Sequence, residues 1–212
     1  MKDRVKEQLD ILLQRYPNCK SLESNIVNAF NILKECLQNG GTIFCCGNGG
    51  SACDSEHIVG ELVKSFKKFR KIDDETYKYL SQFGQDGEFL QSKLEGSLRA
   101  ISLISQTGII SAFANDKSWD VAYAQQLYGL SKKGDCLISL STSGNSKNCV
   151  LATMVAKAKG VKSLSFTGFG GGRLKELSDE CICVEENETY KVQELHLPIY
   201  HCLCAMLEEE FF

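Results

Sequence analysis

The chain has 212 residues, 43% of them apolar and 24% charged, with a formal net charge of -3. This length can build one substantial hydrophobic core, so we expect a single domain over residues 1–212. The small negative charge excludes a global positive field, which argues against a nucleic-acid partner. No apolar run approaches about 18 residues, so we also expect no membrane span, no signal peptide and a cytoplasmic location.

The eleven cysteines do not form a recognisable binding pattern. Their number is odd and no two C-x-x-C pairs occur, so the sequence predicts neither a disulfide framework nor a zinc ribbon. We interpret the cysteines as small buried hydrophobes in a reducing compartment.

The chain opens with two helical patterns, at residues 2–15 and 22–37. Short apolar runs that end in Gly, Ser or Asn loops then alternate with further helical patterns, which is typical of a doubly wound parallel sheet. A long helix from about Lys191 closes the chain. We therefore predict an α/β fold with flavodoxin-like layering and a five-stranded parallel sheet. The predicted strands are 42–46, 100–105, 135–140, 162–167 and 181–184.

A glycine-rich loop follows the first predicted strand, and a helical pattern starts after it at about Ala52. The loop residues are Gly47, Asn48, Gly49, Gly50 and Ser51. Glycines can turn successive N–H groups towards one point, and a helix N-terminus favours negative charge there. Ser51 can cap the helix or donate its hydroxyl to an anion, and the two roles are compatible. This order of strand, loop and helix predicts an anion site.

The segment 67–96 departs from the alternation of strands and helices. It is polar, begins with the basic run Lys67-Lys68-Phe69-Arg70-Lys71, and carries aromatic residues at loosely helical spacing. We interpret it as a helical excursion between the first two strands. A solvated helix that covers part of the sheet is favoured over a lid for the site.

A second polar loop follows the third predicted strand and again precedes a helical pattern. Its residues are Ser141, Thr142, Ser143, Gly144, Asn145 and Ser146. Their hydroxyl and amide groups are neutral donors at the C-terminal end of a strand, where the ligands of open α/β sheets bind. Two such loops in one short domain favour a phosphorylated small-molecule ligand.

This ligand is better explained as a sugar phosphate than as a nucleotide. Gly47-x-Gly49-x-x-Ala52 fits the dinucleotide pattern G-x-G-x-x-(G/A), but no acidic residue ends a second strand about 20 residues later. Asp73 and Asp74 lie there in a charged segment that does not read as a strand. No lysine follows the glycines as it does in G-x-x-x-x-G-K-(S/T). We therefore predict no nucleotide cofactor.

The three histidines lie beside these elements, with His57 on the helix after the glycine loop and His196 and His201 on the last helix. His57 and Glu61 are four residues apart and share one helix face. A structural role is equally open for each residue. His57 could be a hydrogen-bonded core histidine, and Glu61 could be a surface partner of Lys64. His196 is offset from the others and is interpreted as structural or as a subunit contact.

Gln193 and His201 are eight residues apart on the last helix, so both can face the same side. Pro198 lies between them and makes a kink plausible. A carboxylate and an imidazole that face each other suffice to move a proton between adjacent carbons through an enediol. His57, Glu61, Gln193 and His201 are also nitrogen and oxygen groups of a kind that can hold zinc, although glutamine is an uncommon ligand.

Four stretches resemble, in order and spacing, the SIS-domain phosphoheptose isomerases. They are GNGGSACDSEHIVGEL from Gly47, AND at 114–116, STSGNS from Ser141 and TYKVQELHLPIYHCLCAMLE from Thr189. The resemblance covers nearly the whole chain apart from the excursion. It implies a SIS-domain fold, isomerisation of sedoheptulose 7-phosphate, and a homotetramer with its sites at subunit interfaces.

The resemblance also implies roles for individual residues. Glu61 would be the general base and His201 its acid/base partner. Zinc would be bound by His57, Glu61, Gln193 and His201. Asn48 and Asp116 would contact the sugar hydroxyls, Gln193 would contribute to substrate binding, and the phosphate would be held by the glycine loop and the serine-rich loop through Gly49, Gly50, Ser51, Ser141, Thr142, Ser143 and Ser146.

Two alternatives remain at this stage. A non-catalytic SIS module that binds a sugar phosphate or a protein partner would have no need for Glu61 and His201, yet both are present. A SIS lyase or etherase acting on an amino-sugar phosphate is not excluded, because the excursion could reshape the pocket rim.

Overall fold

The computed structural model describes the whole chain, Met1–Phe212, and contains one sheet of five parallel strands in the order β2-β1-β3-β4-β5. This confirms the predicted fold class. The second strand ends at Ser102 and not at residue 105, because it is an edge strand that pairs with β1 over only three positions. The strands are β1 Ile43–Cys46, β2 Ala100–Ser102, β3 Cys136–Leu140, β4 Lys162–Thr167 and β5 Glu180–Cys183.

Ten α-helices surround the sheet, together with three short 3-10 turns. The two N-terminal helices and the long C-terminal helix occur where the sequence predicts them. The helices are α1 Asp3–Arg15, α2 Glu23–Gln38, α3 Gly50–Val63, α4 Asp74–Leu80, α5 Gly84–Lys93, α6 Thr107–Asp116, α7 Ala122–Leu130, α8 Lys147–Lys159, α9 Gly172–Leu177 and α10 Thr189–Phe211.

The sheet is buried on both faces. Along β1, Ile43 and Cys45 enter one core, whereas Phe44 and Cys46 enter the other. Helices α1, α2, α3 and α10 cover the first face, and α6 to α9 cover the second. Burial on both sides explains why these strands read as continuous apolar runs.

The strand order places two loops in one crevice. β1 pairs with β2 on one side and with β3 on the other, so successive connections leave in opposite directions at the β1–β3 boundary. The loops after β1 and β3 therefore open together at the carboxyl edge of the sheet, where doubly wound folds bind ligands.

Helix α10 is the longest element and packs against α1, α2 and α3. Pro198 lies inside it without ending the helix. All eleven cysteines are free, and eight of them are buried, in agreement with their interpretation as small hydrophobes. None of the helices has the length and apolar character needed to cross a bilayer.

The excursion is helical, as predicted, but it projects from the domain. Helices α4 and α5 contact chiefly each other and the 3-10 turn between them, α4 buries no residue, and α5 buries only Gly87. The neck of the excursion is closed by backbone contacts, since the Gly96 N–H donates to the Arg70 carbonyl at 2.8 Å. The Ser65 N–H donates to the Glu95 carboxylate at 2.7 Å across the same neck.

We expect that replacing residues 74–93 with a short Gly-Ser linker leaves the fold intact. The segment buries little apolar surface and its ends are already held together, so the thermal midpoint should change by no more than about 4 °C, or about 1 kcal/mol. Thermal unfolding followed by circular dichroism measures this. The control is Leu203→Ala, which should cost about 2–5 kcal/mol because Leu203 is buried in the core. If the deletion lowered the thermal midpoint as much as Leu203→Ala does, the excursion would be shown to stabilise the domain.

Candidate functional site

The glycine loop after β1 is shaped for close approach to α10. Gly49 has φ 55° and precedes the first residue of α3, Gly50. A Cβ at Gly50 would lie 2.7 Å from Gln193 Nε2, so only glycine lets this side chain rest on the loop. Gln193 Nε2 also lies 3.5 Å from Ser51 Oγ. The structure therefore brings Gln193 to the predicted anion site.

The serine-rich loop after β3 is held in a tight turn. Ser141 Oγ donates to Ser146 Oγ at 2.9 Å. Gly144 has φ +66°, and a Cβ there would lie 2.0 Å from the Gly171 carbonyl oxygen. The loop thus packs directly on the glycine-rich segment after β4, residues 168–172. This segment was not singled out from the sequence, although a glycine-rich loop after a predicted strand indicates a place beside the site.

Asn148 is a second residue that the sequence reasoning missed. Its side-chain amide and that of Asn48 exchange two hydrogen bonds of 2.8 Å each. Asn148 lies in the first turn of α8, directly after the serine-rich loop. This pair ties the two predicted phosphate loops together across the crevice.

Asp116 stands apart from these loops. It is the last residue of α6, is exposed, and accepts a hydrogen bond from Asn115 Nδ2 at 2.9 Å. The chain by itself gives Asp116 no hydrogen bond to any other predicted site residue.

A second cluster forms where α3 packs against α10. His57 Nε2 lies 3.3 Å from Glu61 Oε1 and 3.4 Å from His201 Nε2. Glu61 Oε2 also accepts from Lys64 Nζ at 2.9 Å. The predicted base and its predicted acid/base partner therefore meet at one nitrogen of His57.

A hydrogen-bond relay orients the His57 ring. The Tyr200 hydroxyl donates to Asp54 Oδ1 at 3.1 Å, which leaves its oxygen to accept from His57 Nδ1 at 3.1 Å. Burial raises the pKa of Asp54, and the bond from Tyr200 partly offsets that rise. The relay leaves Nε2 of His57 free to face Glu61 and His201.

The two histidines of α10 occupy different surroundings. The pKa of His201 is lowered, first by partial burial and then by the neighbouring His57. At pH 7 this favours a neutral imidazole, which has one donor and one acceptor nitrogen. His196 is fully buried with Nε2 at 3.2 Å from the Thr167 carbonyl oxygen, and burial lowers its pKa to about 4. This position agrees with the structural role expected for it.

The two clusters lie at opposite edges of the sheet. Helix α3 starts at the carboxyl edge with Ser51 and runs about 15 Å to Glu61. There the Leu98 N–H, two residues before β2, donates to the Leu62 carbonyl at the amino edge. A single chain thus brings Glu61 and His201 together, but away from the serine-rich loop.

The four predicted zinc ligands fall into two groups in the structure. Three of the four predicted ligands, His57, Glu61 and His201, meet at one point, and the relay to Tyr200 and Asp54 is the kind of outer contact that orients a metal-binding histidine. Gln193 instead lies on Ser51. His57 contacts both Glu61 and His201, but the three side chains are not arranged as a ready-made set of metal ligands. The side chains of His57, Glu61 and His201 are of types that bind zinc. Gln193 of the same chain lies too far along α10 to join them.

Comparison with known proteins gives a consistent result. Two SIS domain family models match residues 12–88 and 115–206. A phosphoheptose isomerase from Akkermansia muciniphila is 32% identical over 212 residues, which is 100% of this chain and 99% of the relative. One from Nitratiruptor sp. is 38% identical over 192 residues, covering 91% of this chain and 89% of the relative.

Solved structures agree with these matches. A phosphoheptose isomerase from Francisella tularensis superposes with a TM-score of 0.76 and 26% identity, covering 99% of this chain and 100% of the other. One from Neisseria gonorrhoeae gives a TM-score of 0.74 and 26% identity, with 98% of each chain covered. The similarity thus extends over the whole domain.

We expect Tyr200→Phe to destabilise the protein through the relay. The substitution removes the donor to Asp54, whose other oxygen is already buried without a partner, so the free energy of unfolding should fall by about 1–3 kcal/mol. Urea denaturation at pH 7 measures the loss. Tyr190→Phe is the matched control, because Tyr190 is an exposed residue of the same helix. Equal stability of the two variants would contradict the relay.

Proposed function

The chain belongs to the SIS-domain phosphoheptose isomerase family, and on that premise we propose that it interconverts sedoheptulose 7-phosphate and an aldoheptose 7-phosphate. The observation that carries this proposal is the meeting of Glu61 and His201 at His57 Nε2. An aldose–ketose isomerisation needs one group to move a proton between the two carbons and another to donate protons to the substrate oxygens and accept them back. A carboxylate and a neutral imidazole supply these two groups.

The reaction follows from these two side chains. Glu61 accepts a proton from C1 of the ketose, the electrons of that C–H bond form the C1–C2 double bond, and the C2 oxygen takes a proton from the His201 N–H. The enediol then returns its O1 proton to His201, while Glu61 delivers its proton to C2. The product is the aldose, and both side chains regain their starting protonation states.

Zinc is part of the proposal for this site. His57, Glu61 and His201 would hold the ion in one chain, supported by the Asp54–Tyr200–His57 relay. When bound, zinc would act as a Lewis acid that stabilises negative charge on the substrate oxygens.

We propose that each complete site combines two chains. A seven-carbon sugar phosphate is about 10 Å long from C1 to phosphorus when extended, whereas the phosphate loops and Glu61 lie at opposite edges of one sheet. A neighbouring chain would supply the serine-rich loop, Ser51 and Gln193 opposite this chain's Glu61 and His201. Gln193 of one chain would then complete a zinc site formed by another, which fits a symmetric assembly such as the homotetramer.

The phosphate side would use neutral donors. The backbone N–H groups at the start of α3, with the hydroxyls of Ser51, Thr142 and Ser143, would bind the phosphate oxygens. Asn48 is already fixed by Asn148 and would contact the sugar, with Asp116 reaching it only from another chain. We also propose a cytoplasmic location, which the eleven free thiols support.

We expect Glu61→Gln and His201→Ala each to lower kcat by about 100-fold or more, because each removes a proton-transferring group. The assay follows aldose–ketose conversion of a panel of sugar phosphates by purified protein whose zinc content has been measured. Glu75→Gln, on the exposed excursion, is the matched control and should retain full activity. Unchanged turnover in both site variants would reject the mechanism. Tight sugar-phosphate binding by a wild type without turnover would indicate the non-catalytic module.

Mixing two inactive variants tests the shared site. Glu61→Gln lacks the base, and Ser143→Asp places a negative charge against the phosphate, so each should be inactive alone. If the two groups come from different chains, random reassembly of equal amounts should restore about a quarter of the sites. The double variant Glu61→Gln/Ser143→Asp, mixed with Glu61→Gln, is the control and should stay inactive. No recovery in the first mixture, with exchange of subunits confirmed by mass spectrometry, would mean that one chain supplies both groups.

A further inference from the structure

Arg70 lies outside the site described above, yet its side chain is completely buried. Fully buried arginines are rare unless they are paired. Its Nη2 donates to the Glu61 carbonyl at 2.9 Å and its Nη1 to the Leu62 carbonyl at 2.7 Å. Its Nε donates to Glu208 Oε1 at 2.7 Å. One guanidinium thus contacts the backbone of the proposed base and the helix that carries its partner.

The contacts to α3 satisfy a specific requirement. The last carbonyls of an α-helix have no partner within the helix, and a cation there also complements the helix dipole. Because α3 ends at Val63, the carbonyls of Glu61 and Leu62 are among these groups. Arg70 therefore fixes the backbone from which the Glu61 carboxylate projects.

Glu208 extends the same contact to His201. Its carboxylate accepts the N–H groups of Phe66 and Lys67 at 2.9 Å each. The Phe66 ring in turn packs against the His201 ring, with centroids 5.5 Å apart. Glu208 follows His201 by seven residues, or two turns of α10, and so lies on the same side of the helix.

We propose that Arg70, through its ion pair with Glu208, is a positioning residue that sets the geometry of Glu61 relative to His201. This inference rests on the proposed isomerase function. A buried ion pair is a poor means of adding stability, because apolar residues of similar size often stabilise a core as well or better. The guanidinium is instead suited to holding three acceptors in fixed directions. Proton transfer depends steeply on such geometry, since a displacement of about 1 Å can cost about 100-fold in rate.

The test is Arg70→Lys, which keeps the charge but replaces the planar fork with a single ammonium. We expect kcat to fall by about 10- to 100-fold with little change in KM, because the phosphate loops are untouched. The primary isotope effect on kcat, measured with a ketose phosphate deuterated at C1, should increase as proton transfer becomes slower than the other steps. A purely structural role would not change this isotope effect.

Two controls separate positioning from stability. Glu210→Gln breaks a pair with Lys34 at 2.9 Å, two residues further along α10 and away from α3, and should retain near-wild-type kcat. Leu127→Ala, in the core on the other face of the sheet, lowers stability without touching the pair or the contact between α3 and α10, and should keep its kcat per folded molecule. If the Arg70→Lys protein does not fold, Glu208→Asp is the second variant. It keeps both charges of the pair, and we expect the same loss of kcat.

The outcomes distinguish this inference from the function on which it rests. Wild-type protein that turns over no sugar phosphate would reject the isomerase proposal, and the positioning role with it. The positioning role alone would be rejected if the wild type were active and the Arg70→Lys or Glu208→Asp variant matched Glu210→Gln in kcat and isotope effect.

Discussion

The packing of α10 against α3 is the contact on which the proposed chemistry depends. Ile58 and Leu62 of α3 meet Leu203 and Leu207 of α10 in a fully apolar contact, and burial of each such side chain contributes about 1.5–3 kcal/mol. The polar residues that matter lie beside this apolar contact, so the core determines where His57 and His201 meet. Arg70 and Glu208 then close the contact at the end where the apolar residues stop.

The fold places the proposed phosphate loops and the proposed base at opposite ends of helix α3. The start of α3 belongs to the crevice at the carboxyl edge of the sheet, where the strand order reverses, while its end carries Glu61. Ligands of doubly wound sheets bind at the carboxyl ends of the strands, so a carboxylate at the far end of a crossover helix lies away from that crevice within the same chain. The proposed assembly of several copies would bring the two together, and within one chain Gln193 contacts Ser51 whereas His201 contacts His57.

The sequence was sufficient to predict the fold because each strand is a short apolar run and each loop carries its own turn residues. The meeting of His57, Glu61 and His201 was also predictable, from helical spacing and the family resemblance. Contacts between distant residues were not. Asn148 pairs with Asn48 across 100 positions, and Arg70 reads as part of a solvated basic run although it is buried, while its neighbour Phe69 is 71% exposed. Hydropathy alone would predict the opposite, with Phe69 buried and Arg70 exposed.

Helix α10 has a further consequence for how such an assembly would behave. With 23 residues it is about 34 Å long, and it contacts the glycine loop through Gln193 near one end and His57 through His201 further along. Because one continuous helix carries both residues, an axial shift that moved Gln193 away from Ser51 would also displace His201 from His57. In the proposed assembly with shared sites, each α10 would contact two substrates, so binding at one site would be coupled to the geometry of the next.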